Sequence, residues 1–418
     1  MTHSPERSRA APDPGIGFHE FVALIAGLMA VNAFGIDSML VALPAIGESL
    51  GVTNGNDRQW IITTYMLGFG VAQLVYGPLA DRYGRKPILV GSMGLFAVLS
   101  VAAGLAGSFP VMLAARFLQG VAAAASRVLS VSIVRDCYSG RQMARVMSLS
   151  FIVFLAVPIL APSLGQIIML VAPWRAIFFV LGLFGAAIAI WASLRLNETL
   201  HPEYAREISL AELKRAAGLI LGNRTSLFYT FGGMLLFGSL LGYISSIEQI
   251  FSEVFDRLEV MTIVFAAAAS VMGVAAFLNS RIVEQLGVRR VSHTALIGFI
   301  VTAAAHVALS ASGREELWSF AVLQAIQFGC FALIGSNFNS MAMEPVGAVA
   351  GTASSVQGFI STVGGALIGM MIGQAFDGTT LPVMQGFLIV GIATLGMVLI
   401  AERGRLFRGH HGPAEATA

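Results

Sequence analysis

Gly77-Pro78-Leu79-Ala80-Asp81-Arg82-Tyr83-Gly84-Arg85-Lys86-Pro87 is a short, charged turn set between two long apolar runs, residues 61–76 and 88–107. Glycine permits the tight reversal, and a basic cluster beside long apolar runs marks the cytoplasmic boundary of a membrane. The whole chain has this character. Of its 418 residues 56% are hydrophobic and only 11% are charged, whereas soluble domains carry about 25% charged residues. Ordinary cores cannot hide so much apolar side chain. A spanning helix needs roughly 20 apolar residues, which leaves room for about a dozen spans joined by short loops. No stretch between them is long enough for a separate soluble domain.

Spans are predicted at residues 20–44, 58–79, 88–107, 111–133, 146–171 and 175–195, then at 226–249, 260–280, 291–312, 317–340, 350–375 and 383–402. The longest polar interruption, 197–224, divides them into two sets of six. The expected organisation is a tail at 1–19, one bundle at 20–196, a linker at 197–224, a second bundle at 225–402 and a tail at 403–418. Within the linker, Ser209-Leu210-Ala211-Glu212-Leu213-Lys214-Arg215 reads as an amphipathic surface helix, with Ser209 and Glu212 at capping-box spacing. With both termini inside, 19 of the 25 Lys and Arg residues fall on the cytoplasmic side. Four fall outside (Arg58, Arg175, Arg257 and Arg314), and Arg116 and Arg127 lie within a span. The positive-inside rule is obeyed, and two halves of the same orientation imply parallel repeats. A weaker copy of the opening turn, with Glu284, Gly287 and Arg289 matching Asp81, Gly84 and Lys86, lies between spans 8 and 9 as such a repeat requires. Residues 1–17 are polar, so no cleavable signal is expected, and Cys137 and Cys330 sit too differently to form a disulfide.

Few residues can carry chemistry. Asp37 lies in span 1, where a carboxylate costs about 2.5–3.5 kcal/mol on insertion scales. It must face a wet cavity, meet a cation or hold a proton, and it is the candidate proton carrier. Arg116 and Arg127 share span 4. The helical repeat returns them to within about 20° of one face, so both are expected to point into one cavity. Arginine keeps its proton, which makes them counter-ions or substrate ligands, Arg116 being the expected partner of Asp37. Gln119 follows on the same helix. Asp81, Arg82, Arg85, Lys86, Arg135 and Asp136, with Gly77 and Gly84, gather at the inner face, and Glu284 and Gly287 repeat the pattern. Pro158, Pro162 and Gly165 are expected to bend span 5, and Gly365, Gly369 and Gly373 to bring span 11 close to a neighbour. Cavity-lining candidates are Met39, Tyr65, Phe151, Phe154, Phe231, Met234, Phe237, Gln324, Gln327 and Gln357. Glu248 and Glu344 read as ordinary interface positions. No phosphate-binding loop, nucleophile–base pair or metal-ligand cluster stands out, so neither an enzyme, a cofactor, a metal nor a nucleic-acid partner is expected.

The turn G-x-L-x-D-R-x-G-R-K resembles the signature loop between spans 2 and 3 of the major facilitator superfamily of secondary transporters. The resemblance extends beyond this loop to Gly68-Phe69-Gly70-Val71-Ala72-Gln73-Leu74-Val75-Tyr76, Arg116-x-x-Gln119-Gly120, Val134-Arg135-Asp136, Trp174-Arg175-Ala176-Ile177-Phe178 and Glu344-Pro345-Val346-Gly347. Together they are similar to the bicyclomycin/chloramphenicol-resistance branch of the twelve-span drug:proton antiporters. The resemblance implies an all-α membrane protein, with twelve helices in two pseudo-symmetric six-helix bundles. It also implies export of amphipathic drugs against protons across the bacterial inner membrane, by a chain acting as a monomer on small molecules in the bilayer. By that resemblance Asp37 and Arg116 match the span 1 acid and the span 4 arginine. It also implies a gate in which Asp81 docks at a helix N-terminus of the opposite half while Arg85 meets Asp136. The chain departs from the branch at Ala161-Pro162 and Gly165-Gln166, at Ser38 and at Arg127. A proton symporter for an organic anion, using Arg116 and Arg127, and a non-transporting membrane sensor are the alternatives left open.

Overall fold

The computed structural model describes residues 12–201, 203 and 210–407, apart from the side chains at 144, 151–155, 210 and 348. The first span is a broken helix: α1 (Phe18–Asp37) ends, a 3-10 turn (Leu40–Ala42) intervenes, and α2 (Leu43–Ser49) restarts with a proline in its first turn. Then follow α3 (Trp60–Tyr83), α4 (Arg85–Gly104), α5 (Phe109–Cys137), α6 (Gly140–Val171) and α7 (Arg175–Arg195). The linker carries α8 (Leu210–Gly222), as its amphipathic pattern requires, while the cap expected at Ser209 lies outside the described residues. The second half comprises α9 (Arg224–Gln249), α10 (Met261–Leu286), α11 (Val288–Ala311), α12 (Leu317–Met343) and α15 (Leu381–Ala401). Between α12 and α15 lies one span split by a π-helical turn (Ile360–Gly364) into α13 (Ala350–Phe359) and α14 (Gly365–Gln374).

Among the described residues eleven helical segments are long and apolar enough to cross a membrane. The 32-residue α6 has the length too, and its stretch Ala156–Val171 is apolar. Large apolar side chains such as Leu170, Val171, Leu183, Leu194 and Trp318 stand on the outer surface, where only lipid could cover them.

Helices α1 and α3–α7 pack mainly on one another, as do α9–α15, and the two bundles meet where α3 lies against α13–α14 and α6 against α10. Glycines set the closest of these contacts. A Cβ on Gly68 would run into the Phe117 carbonyl, and one on Gly120 into the Tyr65 carbonyl, so α3 and α5 touch backbone to backbone. Gly238 and Gly242 of α9 do the same with Gly365 and Gly369 of α14, the small-residue stripe anticipated from the sequence. The internal repeat is visible in the backbone: Gly84 (φ 99°, ψ 153°) and Gly287 (φ 80°, ψ 151°) hold the same left-handed conformation, each immediately before a helix.

Candidate functional site

Asp37 is the last residue of α1, so its carboxyl stands where the first span breaks, and it is only 6% exposed. Pro44, in the first turn of α2, has no N–H to bond the Leu40 carbonyl, and the helix breaks just ahead of it. Gly165 of α6 presses against the Ser38 carbonyl so closely that a Cβ could not fit. Gly165 is therefore a contact point for the broken span and not a bending device, and α6 runs on through Pro158 and Pro162 as one helix.

Arg116 does not pair with Asp37. It is fully buried, and its guanidinium donates to the carbonyls of Ile61 (3.2 Å) and Gly35 (2.9 Å) and to Oε1 of Gln119 (2.5 Å). Its Cζ lies 4.3 Å from the Tyr65 ring centroid, and Gln119 donates onward to Ser100 Oγ at 2.6 Å. The anticipated counter-ion is thus a structural clasp joining α1, α3, α4 and α5, because the bundle closes over this part of the α5 face. Tyr65 and Met39 are fully buried in the same region; Gly35 leaves room for the Tyr65 hydroxyl, which is without a hydrogen-bond partner among the described residues.

On the same helix Arg127 has the opposite environment. It is exposed into a cavity of about 620 Å³ between the bundles, on the side carrying Gly84. The walls are Gln73, Gly77 and Asp81 of α3, Arg127 and Arg135 of α5, Ser355 and Gln357 of α13, and Glu212 and Arg215 of the linker helix. Of the two arginines expected to point into one cavity, only Arg127 reaches it. At mid-depth Gln73 donates to Thr362 Oγ1 of the π turn (2.9 Å), linking the bundles, and Gln357 donates to the Ala342 carbonyl (3.2 Å). Of the other cavity candidates, Met234 and Phe237 pack against Gly364 and Gly365 of the neighbouring span, and Phe231 is not among the walls. The side chains of Phe151 and Phe154 lie outside the described residues.

Gln324 and Gln327 also miss this cavity. Both are fully buried, with neither amide atom partnered among the described residues, and the buried Tyr243 hydroxyl is likewise unpartnered there. The Tyr243 ring sits 6.3 Å from Phe320 and 5.2 Å from Phe328 on the same helix. Counted from the first residue of each helix, these glutamines occupy in α12 the positions that Arg116 and Gln119 occupy in α5.

The charged turn is built as a brace within its own bundle. Arg85 pairs with Asp81 (2.5 Å) and Asp136 (3.1 Å). Among the described residues Asp81 makes no hydrogen bond or ion pair with the opposite half; its partner is Arg85, and it lines the same cavity as Ala350 and Gly351 at the start of α13. Arg135 approaches Gly351 from the other wall, whereas Arg82 stacks over Tyr83 and leaves the cavity. Glu198, a residue the sequence did not single out, accepts from the backbone N–H of Arg85 (2.8 Å) and Lys86 (3.1 Å), capping α4. A side chain at Gly84 would strike that carboxylate, so this glycine is required twice over. In the second half Glu284 is exposed, and the brace is Arg289 with Glu402 (2.9 Å), joined by the Tyr229 hydroxyl (2.8 Å).

The opposite side, carrying Arg58, is shut by a seam between the bundles. Gln59 donates to Gln249 Oε1 (2.7 Å) and the Gly373 carbonyl (3.0 Å). Asn56 donates to the carbonyls of Gln374 (3.2 Å) and Phe376 (2.9 Å), and Gln249 donates back to Asn56 (2.8 Å). Arg58 meets Glu248 (3.4 Å) and Glu253 (3.2 Å). Glu248 is buried in this seam, not a bland interface residue. The signal missed in the sequence was a run of amides at the ends of spans 2, 7 and 11.

The sequence profile of the Major Facilitator Superfamily matches residues 25–370. A bicyclomycin resistance protein homolog of Haemophilus influenzae is 28% identical over 402 residues, covering 93% of this chain and 98% of that one. The multidrug resistance protein MdtL of Escherichia coli is likewise 28% identical over 402 residues, 93% and 97% of the two chains. The MFS-type transporter YdgK of Bacillus subtilis is 28% identical over 358 residues, 84% of this chain and 88% of that one. The solved structure of the human organic anion transporter MFSD10 (TETRAN) shares the fold, with a TM-score of 0.65 over 92% of this chain and all of that one, at 17% identity. The chain belongs to the Major Facilitator Superfamily of transporters.

Proposed function

We propose that this protein exports amphipathic small molecules across the bacterial cytoplasmic membrane in exchange for protons, by alternating access. The observation that carries the reading is one-sided access: the Arg58 face is sealed by side chains of both bundles, while a cavity of about 620 Å³ lies between them at the Gly84 face. A protein that alternates between two such states moves a solute without ever opening a continuous pore. The Lys/Arg distribution favours a cytoplasmic Gly84 face and cytoplasmic termini, and on that orientation the open cavity is the one that loads from inside. The names of the Haemophilus influenzae and Escherichia coli relatives support drug export as the task.

Asp37 is the coupling residue. It is buried at a helix break, and among the described residues no hydrogen bond or ion pair joins it to Arg116, whose three nitrogens each donate elsewhere. A carboxyl in that place, at the boundary of two helical pieces, changes its surroundings when the bundles rock, and it trades a proton for access to water. A proton entering from the Arg58 side resets the carrier, and its release on the Gly84 side readies it for substrate. One charge crossing 100 mV is worth about 2.3 kcal/mol, enough with a pH gradient to drive uphill export. The protein works on small molecules and protons within the bilayer, as a monomer.

The test is uptake of a labelled hydrophobic drug into inside-out membrane vesicles energised by an acid interior. Accumulation that collapses on addition of a protonophore is the expected result. Accumulation that persists after the gradient is abolished, or that needs an alkaline interior, contradicts it.

A further inference from the structure

The strongest unexplained group in the molecule is Arg127. It stands on α5 within a membrane span, is exposed to the cavity, and its guanidinium has no hydrogen bond or ion pair among the described residues. Its fixed charge cannot be relieved by losing a proton. The cavity walls carry two carboxylates, Asp81, which is taken by Arg85, and Glu212 on the linker helix beside Arg215, against the cations Arg127, Arg135 and Arg215. Beside Arg127 the wall is apolar at Val128 and Val131, with Val349 contributed from the other bundle. An unpaired guanidinium at the head of an apolar wall is the receptor for one kind of guest, an acid with a hydrophobic body.

We propose that Arg127 is the anion-binding residue of the cavity, and that the substrates this chain prefers are amphipathic organic anions, carboxylates or sulfonates of small aromatic or alicyclic bodies. The guanidinium takes the two oxygens of the acid as a fork, and the hydrophobic body lies along the Val128–Val131 stretch. This assignment rests on the transport reading above, because the cavity is the substrate path only in a transporter. It narrows that reading from amphipathic compounds in general to one charge class. Arg116, buried and satisfied by carbonyls, takes no part.

The experiment is equilibrium binding to the purified protein in nanodiscs, using three probes of nearly equal shape: 2-naphthoate, 2-naphthamide and 2-naphthylmethylammonium. The wild type is expected to bind the naphthoate at least about tenfold more tightly than the amide, and the ammonium most weakly. Arg127→Gln is expected to erase the preference of naphthoate over amide. Arg127→Lys, which keeps the charge but not the fork, retains part of it and covers the case in which the glutamine variant does not fold. Equal affinity for naphthoate and amide in the wild type overturns the proposal, as does an unchanged preference in Arg127→Gln or the absence of naphthoate binding. Naphthoate binding that depends on Arg127, in a protein that couples no solute to protons, instead leaves the anion site standing and removes the antiport reading.

Discussion

Replacing Gln59 by alanine removes the centre of the seam that closes the Arg58 face. The Gln59 side chain is 1% exposed and makes two cross-bundle hydrogen bonds, to the Gln249 side chain and to the Gly373 carbonyl. Each such bond contributes about 0.5–1.5 kcal/mol net. Both bonds bridge the bundles, so they exist only while this face is closed; once it opens, water replaces them. Gln59→Ala therefore destabilises the closed state by about 1–3 kcal/mol relative to the open one, and shifts the ratio of the two about 5- to 150-fold. Spin labels at Thr53 and Thr379, exposed positions on the two sides of the seam, read that ratio by electron–electron distance measurement in nanodiscs, with Cys137 and Cys330 replaced by serine. The variant is expected to gain a population with a longer label separation. A distance distribution identical to that of the unmutated seam would refute the reasoning, because it would mean that these bonds are equally present in both states.

Two further predictions concern what holds the first bundle together. Gly120→Ala pushes a Cβ into the Tyr65 carbonyl and is expected to cost about 1–3 kcal/mol, whereas Gly91→Ala on α4 meets nothing within 4 Å and is expected to stabilise by up to about 1 kcal/mol. Thermal unfolding in detergent reads both, and opposite signs are the point of the pair. Arg116→Gln leaves the Gly35 and Ile61 carbonyls without their charged donor and is expected to lower stability by about 3 kcal/mol or more, with Arg116→Lys milder. A melting temperature equal to the wild type would show that Arg116 is not the clasp described here.

The spans, the two-bundle layout and the repeat were legible because they rest on long-range averages of hydropathy and charge. Individual side-chain roles were less so. The break at the end of α1 escaped notice because Ser38-Met39-Leu40-Val41-Ala42-Leu43 reads as uninterrupted span; its one sequence signal is Pro44, and the close contact at Gly165 comes from far along the chain. Periodicity put Arg116 and Arg127 on one face, but it carries no information about which part of that face another helix covers. For the same reason Met234 and Phe237 looked like cavity lining, when glycines on the neighbouring span had made room for them. Glu198 and the amides of the seam escaped notice because short polar segments at span ends look alike until their partners are known.

The central claim is that one buried carboxyl couples the solute to the proton, and purified protein in liposomes loaded with a pH-sensitive dye tests it most directly. With an acid interior, adding a transported compound outside should release protons from wild-type vesicles and not from Asp37→Asn vesicles, while Asp37→Asn still binds the compound. Undiminished compound-driven proton release in Asp37→Asn would contradict the account.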